Sequence, residues 1–193
     1  FFDFALQTGD AGLIERAAAL LTIGQRLAAD AGAVSLWWIV RMCRSFIDDL
    51  WGHSLHSRRP LDLEQGAEQT YPGLRERFVN SLYARKTSEV ELWPSQLEAA
   101  ARSTDVDDDL VVALPTSAGK TRIAELATLM TLAQDKRVLI VTPLRALSAQ
   151  TERSFRNTFG PLGFSVSSLY GASGMSGSDE DALRSKNIVI ATP

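Results

Sequence analysis

Between Asp10 and Asp30, apolar residues return at helical spacing, at Leu13, Ala17, Leu20, Leu21 and Leu27. Asp10 stands where an N-cap is expected, and Gly32 where a helix stops. A second helix is predicted from Ala33 to about Leu50, with Leu36, Val40, Cys43 and Ile47 on one stripe and Trp37 beside it. The two make a helical hairpin that turns at Gly32. Trp37, Trp38 and Trp51 read as core aromatics rather than as platforms for bases. Residues 51–66 are polar and read as a connector. A third amphipathic helix is predicted from Pro72 to about Arg85, through Leu74, Phe78, Leu82 and Tyr83.

From Glu91 onward the pattern changes to alternating helices and strands. A helix starts near Pro94, with proline in its first turn. The apolar run Leu110–Leu114 predicts a strand, followed by a small-residue loop and a helix to about Gln134. Further strands are expected at 137–142, 164–169 and 187–191, with helices at about 146–158 and 179–185. Continuous β-branched runs between helices imply a parallel sheet covered on both faces. The expected fold is α/β over 89–193, preceded by an α-helical region over 1–88 with a linker near 51–70.

Composition narrows this only a little. The 193 residues are 45% hydrophobic and 22% charged with a net charge of -3, which suits one medium soluble domain or two small ones. The acidic balance gives a nucleic-acid partner no support, although a local basic stripe can exist on an acidic protein. The single cysteine, Cys43, has no internal disulfide partner and is expected to pack as a small hydrophobe. Nothing points to an oxidising compartment, so the expected location is intracellular, in the cytoplasm. The most apolar stretch, 33–43, contains Arg41 and is too short to span a bilayer. The chain starts Phe1-Phe2 and stops at Pro193 directly after a strand-like run, as a stretch of a longer protein would. His53 and His56 have no further Cys or His nearby to complete a metal site, and read as loop residues. The acidic run Asp105–Asp109 precedes a strand instead of ending one, so it reads as a solvated turn.

The candidate chemistry lies in Leu114-Pro115-Thr116-Ser117-Ala118-Gly119-Lys120-Thr121. Strand, small-residue loop, Gly-Lys-Thr and helix is the context of a phosphate-binding loop. Backbone N–H groups of such a loop form a concave anion site, and the helix start adds its own unpaired N–H groups. Lys120 can reach outer phosphates, and the Thr121 hydroxyl can ligate Mg²⁺. A lysine at a helix start opposes the dipole unless an anion lies between them. The first position is Leu114, where the strict pattern has glycine.

The residues from about Glu91 to Pro193 resemble the first half of the first RecA-like domain of a superfamily-two helicase of the DEAD/DExH-box kind. Pro115–Thr121 resembles motif I, in the form found in the Ski-like and archaeal repair-helicase branch. Leu92-Trp93-Pro94-Ser95-Gln96 resembles the adenine-reading glutamine segment, and Thr142–Gln150 resembles motif Ia. Ile188–Pro193 resembles the strand and Thr-Pro start of a further strand-binding motif. The resemblance implies that ATP and Mg²⁺ are cofactors, with Gln96 and Pro115–Thr121 at the nucleotide. It implies that Lys120 and Thr121 are catalytic and that Thr121 is the metal ligand. It also implies that Pro143, Leu144, Arg145 and Thr192 hold a single nucleic-acid strand by its backbone. A second RecA-like domain and an Asp-Glu motif are expected beyond Pro193, so these residues alone are expected not to hydrolyse ATP. Alternatives are the motor subunit of a restriction or phage-defence system, and a non-catalytic nucleotide-binding adaptor with a helical partner-binding module.

Overall fold

The computed structural model describes residues 1–58, 73–87, 89–105, 107–115, 118–169 and 177–193. The chain divides into two compact units, Phe1–Arg59 with Leu82–Pro94, and Pro60–Ser81 with Ser95–Pro193.

The first unit is helical. Helix α1 (Phe2–Thr8) closes on Gly9 and is followed by α2 (Ala11–Asp30). The Asp10 carboxylate accepts from the Gly12 N–H at 2.8 Å, the N-cap the sequence indicated. The chain then turns at Gly32, whose φ of 65° suits glycine, into α3 (Val34–Gly52). The hairpin forms as expected, but its seam is shifted by one residue. Trp37, Val40, Arg44, Ile47, Leu50 and Trp51 are half-buried on α3, whereas Leu36 and Cys43 are exposed. Polar and cationic contacts explain the shift. Arg44 donates to Thr22 Oγ1 across the hairpin at 3.0 Å, and Arg41 lies over the rings of Trp37 and Trp38. The predicted core role of Trp38 and Cys43 is thereby corrected.

On α2, Ile14, Ala17 and Ala28 are buried and Leu13 and Leu21 half-buried, while Leu20 and Leu27 face solvent. The short helix α4 (Leu55–Arg58) follows. It carries His56, whose Nε2 lies 2.8 Å from the Leu6 carbonyl and whose ring stacks on Trp51. Among the described residues no cluster of metal-ligating side chains exists, and no helix is long and apolar enough to cross a membrane.

The second unit carries a parallel sheet of β1 (Val138–Val141), β2 (Val166–Leu169) and β3 (Ile188–Ala191) in the order β1-β3-β2. Central β3 is buried on both faces, as its unbroken Ile-Val-Ile run requires. Helix α5 (Leu74–Tyr83) buries Leu74, Phe78 and Val79, and the Phe78 ring stacks on Phe159 at 6.1 Å. Four further α-helices follow, α6 (Pro94–Ser103), α7 (Lys120–Ala133), α8 (Arg145–Phe159) and α9 (Gly177–Ser185), with a 3-10 turn at Gly160–Leu162. At the end of α6, Arg102 grips Asp108 with two hydrogen bonds of 2.6 and 2.7 Å. This fork holds the Asp108 carboxyl below its ordinary 3.8, so Asp108 is a paired anchor within the acidic turn.

One predicted strand is corrected. Among the described residues Leu110–Leu114 has no ladder partner, and Val111 is 91% exposed. A β-branched run has the right pattern, but a strand exists only through hydrogen bonds to a neighbour. Among the described strands β1 pairs with β3 alone, and Leu139 and Val141 of β1 are exposed.

Candidate functional site

Helix α7 begins at Lys120, with Gly119 as its N-cap at φ 78° and ψ 27°. Two physical reasons require glycine there. The backbone is left-handed, and a Cβ would lie 1.8 Å from Gln96 Nε2. Gln96, buried in the first turn of α6, donates from Nε2 to the Gly119 carbonyl at 3.0 Å. The glutamine and the loop are therefore one assembly. The Lys120 ammonium donates to the carbonyls of Leu114 at 2.7 Å and Pro115 at 2.8 Å. These carbonyls offset the repulsion between the cation and the positive end of α7. The Ala118 N–H turns back to the Pro115 carbonyl at 3.3 Å. Thr121 is exposed in the first turn of α7. Thr116 and Ser117 lie outside the described residues. A helix start, a backbone with no room for a Cβ and an exposed cation head together suit a polyanion.

The second set of residues sits at the C-terminal edge of the sheet. Val141 and Ala191 are partners in the β1–β3 register, and the Thr142 N–H continues the ladder to the Ala191 carbonyl at 2.9 Å. The Thr192 N–H reaches the Leu169 carbonyl of β2 at 3.3 Å. Thr142 and Thr192 thus end adjacent parallel strands, on the edge where open α/β sheets bind ligands. Pro143, Leu144 and Arg145 follow, all exposed. Leu144 is the extended N-cap of α8 without a side-chain cap, so the first turn of α8 keeps N–H groups for an external acceptor.

Sequence reading missed two groups of residues that hold these positions. Thr142 Oγ1 and the buried Ser148 Oγ lie 2.6 Å apart and close the Pro143–Arg145 turn. Their signal is a hydroxyl residue at a strand end and another one turn into the next helix. The other group is Arg122, Glu125 and Thr158, all buried. Arg122 pairs with Glu125 at 2.7 Å, and Thr158 Oγ1 donates to the same carboxylate at 2.9 Å. A charged pair three residues apart in an otherwise apolar helix was the available sign.

Comparison with known proteins agrees with this arrangement. The DEAD/DEAH box helicase family model matches residues 93–193. Hachiman protein HamB of Bacillus cereus is 28% identical over 160 residues, 82% of this chain and 14% of that protein. That similarity reaches well into the residues before Trp93. The DExH-box ATP-dependent RNA helicase DExH15 of Arabidopsis thaliana is 50% identical over 64 residues, 33% of this chain and 5% of that protein. The ATP-dependent DNA helicase Hel308 of Pyrococcus abyssi is 35% identical over 103 residues, 53% of this chain and 14% of that protein. The chain spans 14% or less of the length of these relatives. With more than half of its residues matched by the family model, the chain belongs to the DEAD/DEAH box helicase family.

Proposed function

We propose that this chain is the ATP-binding and strand-binding part of an ATP-dependent nucleic-acid helicase or translocase that works inside the cell. The observation that carries the reading is the convergence of Gln96, Gly119 and Lys120 on one loop, at the start of a helix. In this reading Pro115–Thr121 cradle the triphosphate, Lys120 exchanges its two carbonyl partners for phosphate oxygens, and the Thr121 hydroxyl ligates Mg²⁺. The metal, when bound, neutralises phosphate charge. Gln96 pairs with the adenine edge, and its bond to Gly119 ties base recognition to the loop. Arg145 and the first N–H groups of α8, together with Thr192, hold phosphates of a single strand without reading its bases.

We place the motor portion at 89–193 and a helical region of separate role at 1–88. Opening and closing against a second RecA-like domain would convert hydrolysis into movement. The 193 residues alone bind ATP but do not turn it over at a motor's rate, since the Asp-Glu pair that positions the attacking water is absent from the motifs they carry. Titration of the purified chain with a fluorescent ATP analogue tests this. We expect saturable, Mg²⁺-dependent binding that Lys120→Ala weakens by about tenfold or more, consistent with loss of a charge-assisted contact. Equal binding by wild type and Lys120→Ala, or helicase-level hydrolysis by the chain alone, contradicts it.

A second reading, the motor subunit of a phage-defence or restriction system, is supported by the similarity to Hachiman protein HamB. That similarity covers the helical region as well as the motor motifs. It differs in biological setting and keeps the same site chemistry.

A further inference from the structure

A carboxylate placed inside an apolar helix needs a reason. Glu125 is 1% exposed and Arg122 is 7% exposed, one turn beyond the phosphate loop on α7. Burying such a pair costs several kcal/mol per ion before pairing, and well-packed apolar side chains hold two helices together as well or better. What an ion pair adds is register. Here the register is set against α8, because Thr158, fully buried near the end of that helix, donates to Glu125 Oε1 at 2.9 Å. The hydroxyl also lies 3.1 Å from the Ser154 carbonyl within its own helix. A charged acceptor is the stronger of the two.

Helix α8 is fixed along its whole length by hydrogen bonds of this kind. Ser148 meets Thr142 at 2.6 Å near its start. Glu152 accepts from Ser168 of β2 at 2.6 Å in its middle, and Thr158 meets Glu125 at its end. At 15 residues it is a rod of about 22 Å, with Arg145 in the first turn and Thr158 in the last. Helix α7 in turn starts at Lys120, whose ammonium rests on two loop carbonyls. On the reading above, it leaves them for phosphate. On that reading the Lys120 head has two positions, one on the loop carbonyls and one on phosphate, which would supply the two-state element a coupling path requires.

We propose that the Arg122–Glu125–Thr158 link is the route by which the phosphate loop and the strand-binding edge sense each other, with Glu125 and Thr158 as positioning residues. The proposal rests on the motor reading, since it needs both ligands. Its test uses the full-length protein. A fluorescent ATP analogue is titrated with and without a single-stranded oligonucleotide, and the labelled oligonucleotide with and without a non-hydrolysable ATP analogue. Wild type is expected to show reciprocal coupling in the usual range of about 5- to 150-fold.

Thr158→Val keeps the volume and removes the hydroxyl, and Thr158→Ala removes it without setting a methyl against the carboxylate. Each variant is expected to bind either ligand alone within about twofold of wild type while coupling falls below about twofold. Thr158→Ser is expected to restore it. Normal coupling in whichever of Thr158→Val and Thr158→Ala folds overturns the proposal. So does a wild type that binds both ligands independently. A wild type that binds no ATP or no strand instead refutes the motor reading, and the link with it.

Discussion

At Gly119 the fit of the loop against Gln96 depends on one missing atom. A Cβ there would meet Gln96 Nε2 at 1.8 Å, and the φ of 78° already disfavours any side chain. Gly119→Ala is expected to destabilise the chain by about 1–3 kcal/mol, from left-handed strain plus displacement of Gln96. Thermal or urea unfolding measures this. Adding Gln96→Ala removes the clash and leaves the strain, so the double variant should recover part of the loss; no recovery would show that the two residues do not meet. The Gly-Lys-Thr signature was legible in sequence because residue type and order define it. The bond from Gln96 to the Gly119 carbonyl was not, since it joins residues 23 apart that only the fold brings together. Glu125 was hidden for the opposite reason. Its neighbours are so apolar that the helix reads as continuous core, and only its partners Arg122 and Thr158 reveal why an acid is buried there.

Among the elements, all three described strands and the longer helices were expected, whereas α1 and α4 were not. Helix α2 declared itself through the Asp10 cap and its 3.6-residue rhythm. Its inward face did so only in part: Leu20 and Leu27 are exposed, while Ile14 and the half-buried Leu13 and Leu21 share that face with small residues. Gly24 is one of them, and a Cβ there would reach Val40 Cγ1 at an ordinary 3.8 Å. Gly24→Ala is therefore expected to stabilise the chain by about 0.5–1 kcal/mol, through helix propensity alone. A lower melting temperature for this variant would mean the hairpin is packed more closely than described.

The strand at Leu110–Leu114 was misread because periodicity reports how a side chain is buried, while pairing depends on distant segments. Backbone amides at Val111–Ala113 should accordingly exchange within the fast limit in this chain, while those of β3 are protected. Hydrogen exchange resolved by residue decides the point, and strong protection at Val111–Ala113 would reinstate the strand. The run is anchored at its start by the Arg102–Asp108 fork. Because the pair lowers the Asp108 pKa, its contribution is present above the ordinary carboxylate value of 3.8 and is lost as pH falls below it.

Across the molecule, the parallel sheet brings Thr142 and Thr192 side by side although 50 residues of sequence separate them, and α8 starts three residues after Thr142. The order of motifs in the sequence pointed to a helicase, and the sheet explains why Thr142 and Thr192 meet at one edge. The proposed function requires in addition that nucleotide and strand act on each other. Strand-stimulated ATP hydrolysis by the full-length protein, compared with its Lys120→Ala variant, tests that claim most directly. The account predicts hydrolysis that single-stranded nucleic acid accelerates, with the rate falling by about 10²-fold or more when Lys120 is removed. Hydrolysis indifferent to both the strand and Lys120, or none at all with either DNA or RNA present, would contradict it.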